Sequence, residues 1–237
     1  MTFFKYKVDP AMMQAKINIG LSAAPTVCLS DPEATIQLTL TLSIDSSVKE
    51  GRPITIMTNG SPLHVYKEGD GGLDVFARNT FGCFRSTEFD NNKRSISMGF
   101  FFMNARARDH SEELRELGYR FITVPGDGST TTVTHKLGWE RIFEYEEKLT
   151  KDDLVPGESF MIRLPTNRLG TMWWCWGDLD ADLKDKKLHL WHRGPYSGKK
   201  PDDDFVRDGN WVLGEEPMLL DWHNVTEGQW ATFEFTE

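Results

Sequence analysis

The side chains best able to do chemistry crowd into one stretch, residues 169–193, which reads LGTMWWCWGDLDADLKDKKLHLWHR. It carries four of the eight tryptophans (Trp173, Trp174, Trp176 and Trp191) together with Cys175, His189 and His192. An indole offers a wide flat apolar surface and a single N–H donor. Several beside charged groups could line a cleft for a flat or hydrophobic ligand. On that reading Trp174, Trp176 and Trp191 line the site, and His135 or His189 stands within reach of the ligand. The same tryptophans also suit a core, each indole N–H bonded to a backbone carbonyl. An imidazole at the mouth of a pocket could act as general acid or base, its pKa depressed by desolvation. His135 shares a strand face with Val133 and Leu137. That is the expected core face, so a buried neutral ring bonded to a backbone carbonyl fits it equally well.

Metal chemistry is poorly served. Asp178, Asp180 and Asp182 match the first three ligand positions of a calcium loop, but Leu183 stands where the glycine is needed and His189 where the bidentate glutamate is needed. His189 and His192, three apart on a strand, face opposite ways, and Cys175 has no C-x-x-C partner. No metal and no cofactor is expected. Neither a nucleophile elbow, a P-loop nor a dinucleotide fingerprint occurs.

Strands must position these groups. Period-2 alternation puts Met172, Trp174 and Trp176 on one face and Trp173 and Cys175 on the other. Both faces are apolar, which predicts a central strand rather than an edge. Residues 188–192 alternate again, His189 and Trp191 against Leu188, Leu190 and His192. The polar residues between, 178–187, read as an exposed loop, mobile over 178–185.

Elsewhere residues 36–44 alternate Ile36, Leu38, Leu40, Leu42 and Ile44 with polar partners, the pattern of a strand with one wet face. Further strands are expected at 16–22, 54–56, 95–103, 120–124, 131–137, 159–164 and 230–235. A helix is expected at 109–118, with a capping-box spacing at Asp109 and Glu112 and Gly118 as its stop. One or two helical turns are expected within 139–148, and a mobile polar excursion at 199–208. Many short strands with Pro/Gly turns predict an all-β fold: one antiparallel β-sandwich over residues 1–237, immunoglobulin-like, with one or two short helices. A closed barrel is the runner-up.

The segments VTHKL, RIFEYEEKLTKDDLVPGESF, LGTMWWCWGDL, KKLHLWHRG and WVLGEEP resemble a group of uncharacterised fungal proteins of similar size. In that group a Pro-Gly-Glu turn, an LG-x-x-WW-x-WG strand and a W-x-LGE-x-P segment follow in this order. The likeness covers roughly the C-terminal hundred residues. It implies an intracellular protein and brings no catalytic residues with it.

The net charge of −9 opposes non-specific binding to nucleic acid or an anionic membrane. No apolar run approaches the ~20 residues of a membrane helix. Three widely spaced cysteines, Cys28, Cys83 and Cys175, read as reduced thiols in a cytoplasmic protein. With no positioned acid–base pair in view, the sequence favours an intracellular, non-catalytic binding or interaction protein, its partner a small hydrophobic ligand or another protein. The alternative is a small-molecule enzyme, a cyclase or isomerase, with an aromatic pocket and a histidine or acidic proton donor.

Overall fold

The computed structural model describes residues 8–65, 75–76, 81, 83–87, 94–99, 112–195 and 197–237. β1 (Ala15–Ala23) leads through β2 (Thr26–Cys28) into the long β3 (Thr35–Ser47). β4 (Ile54–Met57), β5 (Phe84–Ser86), β6 (Ser95–Ile96) and β7 (Phe121–Val124) are short, and β8 (Thr131–Gly138) runs straight into α1 (Trp139–Phe143). β9 (Ser159–Ile162), β10 (Trp174–Trp176) and β11 (Lys187–His192) follow, then α2 (Asp203–Asp208), β12 (Trp211–Gly214), β13 (Leu220–Asn224) and β14 (Ala231–Thr236).

These strands make an all-β sandwich. A four-stranded sheet, β13-β1-β3-β8, and a five-stranded sheet, β2-β14-β9-β5-β6, turn their apolar faces to a shared core, joined by the three-stranded β10-β4-β7. Alternation decides which residues enter it. Ile36, Leu38, Leu40 and Leu42 have no exposed surface, while their Thr and Gln neighbours face outward or toward the margins. Replacing Leu40 by alanine would cost about 2–5 kcal/mol, the range for buried leucines. The five-stranded sheet contributes a ring cluster in which Phe233 meets Phe84 and Phe235 edge-on at 5.4 and 5.5 Å. Edge-to-face geometry puts the positive ring edge on the negative ring face.

A second, smaller core lies on the other side of the three-stranded sheet: Met57, Leu114, Trp173, Cys175, Leu183 and Leu188. The alternation of β10 divides the tryptophans between the two cores. Trp174 and Trp176 enter the main one; Trp173 and Cys175 enter the second. Both faces of β10 are therefore covered, but the strand is not central. Among the described residues it lies at the edge of its sheet, paired with β4 alone, and Glu215 donates its N–H to the Trp174 carbonyl at 2.8 Å along the outer edge. Apolar residues on both faces report layers above and below, and those say nothing about the neighbours alongside.

Other expectations need correction. Residues 109–111 of the expected helix lie outside the described residues, and 112–118 form a bridge and a single turn. Glu113 caps that turn, its Oε2 accepting the Arg115 N–H at 2.6 Å and the Glu116 N–H at 3.0 Å, so the turn begins four residues later than Asp109. Gly118 does end it, at φ +82°. Of the strand expected at 95–103, Ser95–Ile96 is strand, 97–99 is not, and 100–103 lie outside the described residues. The polar excursion at 199–208 contains α2, capped by Asp202, whose Oδ1 accepts the Asp204 N–H at 2.9 Å. The acidic loop is a knit turn. Asp178 Oδ1 accepts the Asp180 and Ala181 N–H groups, Asp182 Oδ1 accepts the Asp178 N–H, Arg52 pairs with Asp182 at 2.6 Å, and Leu183 is buried. The alternation expected in β11 also fails. Its parallel pairing with β12 shifts register between Leu188 and His192, so Leu188 and His189 are both buried and Leu190 is exposed.

Candidate functional site

An open cleft of about 750 Å³ lies over the second core. Its base is Trp173, held from several sides. The Thr171 hydroxyl lies 2.8 Å from both the Met57 and the Trp173 carbonyl, its one proton shared between them, and the Trp173 indole N–H donates to the His189 carbonyl at 3.0 Å. Gly214 makes this packing possible, since a Cβ there would stand 2.4 Å from the indole nitrogen.

One wall is β11, fastened to the segment that carries Glu113. Leu114 donates to the Leu188 carbonyl and Leu190 to the Glu112 carbonyl, both at 2.9 Å, around an antiparallel bridge between Glu113 and His189. The Glu113 carboxylate is buried at this seam. It accepts the Leu188 N–H at 2.9 Å and the Arg115 Nε–H at 2.8 Å besides the two turn amides. Burial by itself would raise this carboxyl's pKa; the Leu188 N–H, Arg115 and the Glu116 N–H outweigh it and hold the group below its ordinary value.

The opposite wall comes from the segment following β11 and from α2. Phe205 of α2 stacks on Trp211 with centroids 6.0 Å apart, and His189 meets both rings nearly edge-on, at 6.1 and 5.1 Å. Trp191 is fixed by its indole N–H to the Gly198 carbonyl at 3.2 Å. At the rim Lys200 pairs with Asp203 at 2.5 Å, which lowers the pKa of that carboxyl.

His189 is committed on both sides. Its Nδ1 accepts the Trp191 N–H at 2.9 Å, so in the neutral ring the proton sits on Nε2, which faces Glu112 Oε2 at 3.1 Å. Neither nitrogen is left for a ligand. His192 meets Ser197, whose Oγ stands 3.0 Å from Nδ1 and 3.4 Å from Nε2. An oxygen in line with one nitrogen's in-plane lone pair would be far from the other. The hydroxyl therefore has the geometry of contact and not of a serine activated by its base. No group of three or more His, Cys, Asp or Glu arranged to hold a metal occurs among the described residues.

Of the residues expected at the site, Trp191 and His189 line the cleft; Trp174, Trp176 and His135 do not. Trp174 is fully buried and donates its indole N–H to the Glu216 carbonyl at 2.9 Å. Trp176 packs edge-on against it at 5.2 Å, under the Lys49 ammonium. His135 is a core residue, its Nε2 2.7 Å from the Pro62 carbonyl and its ring against Phe76 and Phe81. Alternation already separated Trp174 and Trp176 from Trp173, but it could not say which face carried the cleft. Phe205 is not among the expected site residues, and Met172 and Glu112, which also line the cleft, are expected only as a strand residue and a helix-cap residue. For Phe205 the available signal was one aromatic residue behind three aspartates at a helix start.

The fold and cleft define a β-sandwich protein with a ligand-sized aromatic groove on its smaller core. Compared with known proteins, the chain matches no family model and no curated protein.

Proposed function

We propose that this is a non-catalytic binding protein whose cleft takes a small hydrophobic or aromatic ligand. One observation carries the reading. Three large apolar side chains that are exposed, Met172, Leu190 and Phe205 (41, 49 and 45 %), converge on the cleft that Trp191 also lines. Scattered exposed hydrophobics need no explanation; several gathered in one concavity mark a binding surface. The polar groups around them are engaged within the protein: His189 with Glu112, Lys200 with Asp203, and His192 Nδ1 against the Arg193 carbonyl.

A cyclase or isomerase would need a proton-moving group aimed at the substrate. With both nitrogens of His189 engaged, binding is the better-supported reading. An intracellular setting is supported by three free thiols and by the likeness to intracellular fungal proteins. No described helix is long and apolar enough to cross a membrane.

The test is a titration with the neutral fluorophore N-phenyl-1-naphthylamine. Saturable one-to-one enhancement, with energy transfer from tryptophan, is expected. Linear, non-saturating uptake would remove the proposal.

A further inference from the structure

The segment that forms the far wall of the aromatic cleft carries its hydrogen bonds to the rest of the fold at its two ends. At one end the Gly198 carbonyl accepts the Trp191 indole N–H at 3.2 Å. At the other, Asn210 donates through Nδ2 to the Asp185 carbonyl at 2.7 Å, and its own carbonyl accepts the Lys187 N–H at 3.1 Å. Its Oδ1 also accepts from the Lys186 ammonium. Both end residues are left-handed, Gly198 at φ +70° and Asn210 at φ +55°, so the chain turns sharply into the segment and out of it.

Between these ends no residue of 199–209 is buried. None of them hydrogen-bonds or ion-pairs with a described residue outside 199–210. The charges are settled inside the segment: Lys200 with Asp203 at 2.5 Å, and Arg207 with Asp204 at 2.8 Å and with Asp208 at 3.0 Å. α2 carries its own cap, so the segment can move as a piece without breaking a bond to the sheets. The ring contacts that join it to the body are those of Phe205, which reaches Trp211 of β12 and His189 of β11 yet stays 45 % exposed. A half-covered ring offsets little of the entropy lost in ordering such a stretch of chain. Segments with few buried apolar contacts open at low free energy, and the lids of binding sites are drawn from them. Lys199, Lys200, Pro201, Asp202 and Phe205 all line the cleft, so the position of this segment sets how wide the cleft stands.

We propose that residues 199–209 are a flap that opens to admit the hydrophobic ligand and closes on it, with Phe205 as the latch. In the empty protein Phe205 rests on Trp211 and His189. In the complex its exposed face lies on the ligand, and that added burial is what shifts the flap toward its closed state. The flap rests on the reading of the cleft as a ligand site and adds how entry to that site is controlled.

The test is hydrogen exchange of the full-length protein, read by mass spectrometry with and without saturating N-phenyl-1-naphthylamine. Without ligand, peptides covering 199–209 are expected to exchange at close to the rate of an unfolded chain, unlike those of β3. With ligand they should exchange at least tenfold more slowly. Phe205→Ala should cancel that protection and release the fluorophore at least fivefold faster in stopped flow. Phe205→Tyr, which keeps the ring, should stay within twofold of the unaltered protein. Phe205 is half exposed, and matching thermal melts establish that both variants are folded. One-to-one binding that leaves the exchange of 199–209 unchanged overturns the flap and leaves the binding reading standing. Protection of the empty segment equal to that of β11 overturns the flap as well. Absence of saturable binding overturns the binding reading, and the flap with it.

Discussion

The backbone N–H of Trp191 donates to Nδ1 of His189 at 2.9 Å, locking an imidazole that lines the aromatic cleft. Nε2 faces Glu112 Oε2 at 3.1 Å, so both nitrogens of the ring are engaged. Its role is to hold Trp191 in place, and a substitution that preserves one nitrogen's bond separates the two contacts. Asparagine places an acceptor near the position of Nδ1; leucine places none. His189→Asn is therefore expected to be more stable than His189→Leu by about 1–3 kcal/mol, the cost of leaving a buried N–H without a partner. Urea denaturation of both variants measures it, and equal stabilities would refute the acceptor role of Nδ1.

Glu113 makes the seam between β11 and the 112–118 turn sensitive to acid. Its folded-state pKa lies below the ordinary 4.5 despite burial, because the Leu188 and Glu116 N–H groups and Arg115 favour the anion. A depressed carboxyl stabilises the fold above its unfolded pKa, and that stability is lost as pH falls through the folded value. Glu113→Gln should cost about 2 kcal/mol at neutral pH, since a carboxamide cannot accept from every donor. The gap between wild type and variant should narrow steadily from pH 5 to pH 3 in denaturant titrations. A gap independent of pH would mean that the carboxylate's charge is irrelevant.

The three thiols should differ in reactivity. Burial pushes the Cys175 pKa far up, whereas the Ser30 side chain, together with the Asp31 backbone, lowers that of Cys28. The thiolate is the nucleophile, so brief alkylation of native protein should label Cys28 and spare Cys175. Mass spectrometry after unfolding should then find Cys175 fully available. Rapid native labelling of Cys175 would contradict its place in the second core.

The Asp178–Asp182 turn is closed by its own amides and by Arg52, and requires no ion. Chelator should leave the melting temperature unchanged, and Arg52→Ala should lower it only slightly, as exposed pairs contribute about 0–1 kcal/mol. A drop of several degrees on chelation, reversed by calcium, would restore the loop as a metal site.

The strands of the main core were readable because one face is dry and one wet, as Ile36 to Leu42 display in β3. Period 2 also told Trp174 from Trp173. It could not tell a core face from a cleft face, because both are apolar in sequence. β11 departs from its expected alternation for another reason: a register shift cancels the period, and its partner β12 lies beyond a polar segment. α2 was hidden by its composition, since a helix start rich in aspartate looks like a solvated loop until Phe205 is seen against Trp211. Asn224-Val225-Thr226 spells an N-glycosylation sequon, and only the fold shows where the Asn224 side chain lies. Its Nδ2 is buried and donates to the Leu164 carbonyl at 3.1 Å, which leaves the folded side chain no room for a glycan.

The cleft makes the sharpest division among the aromatic residues. Trp191 and Leu190 should govern ligand affinity, while Trp174 and Trp176 should govern stability alone. Leu190 is half exposed, so Leu190→Ser should shift stability by less than about 0.5 kcal/mol. Covering its remaining surface with a ligand is worth about 1–1.5 kcal/mol, so the same substitution should weaken N-phenyl-1-naphthylamine binding about tenfold. Trp191→Phe keeps apolar volume but loses the indole bond to Gly198, and should lower both affinity and energy transfer. Trp174→Phe removes a buried bond to the Glu216 carbonyl and should lower stability by about 1–2 kcal/mol, leaving affinity within twofold. Measured side by side, the variants reverse order between the two assays if the cleft over Trp173 is the binding site. If Trp174→Phe abolished binding while Leu190→Ser left it intact, the ligand would enter the main core instead, and the proposed site would be wrong.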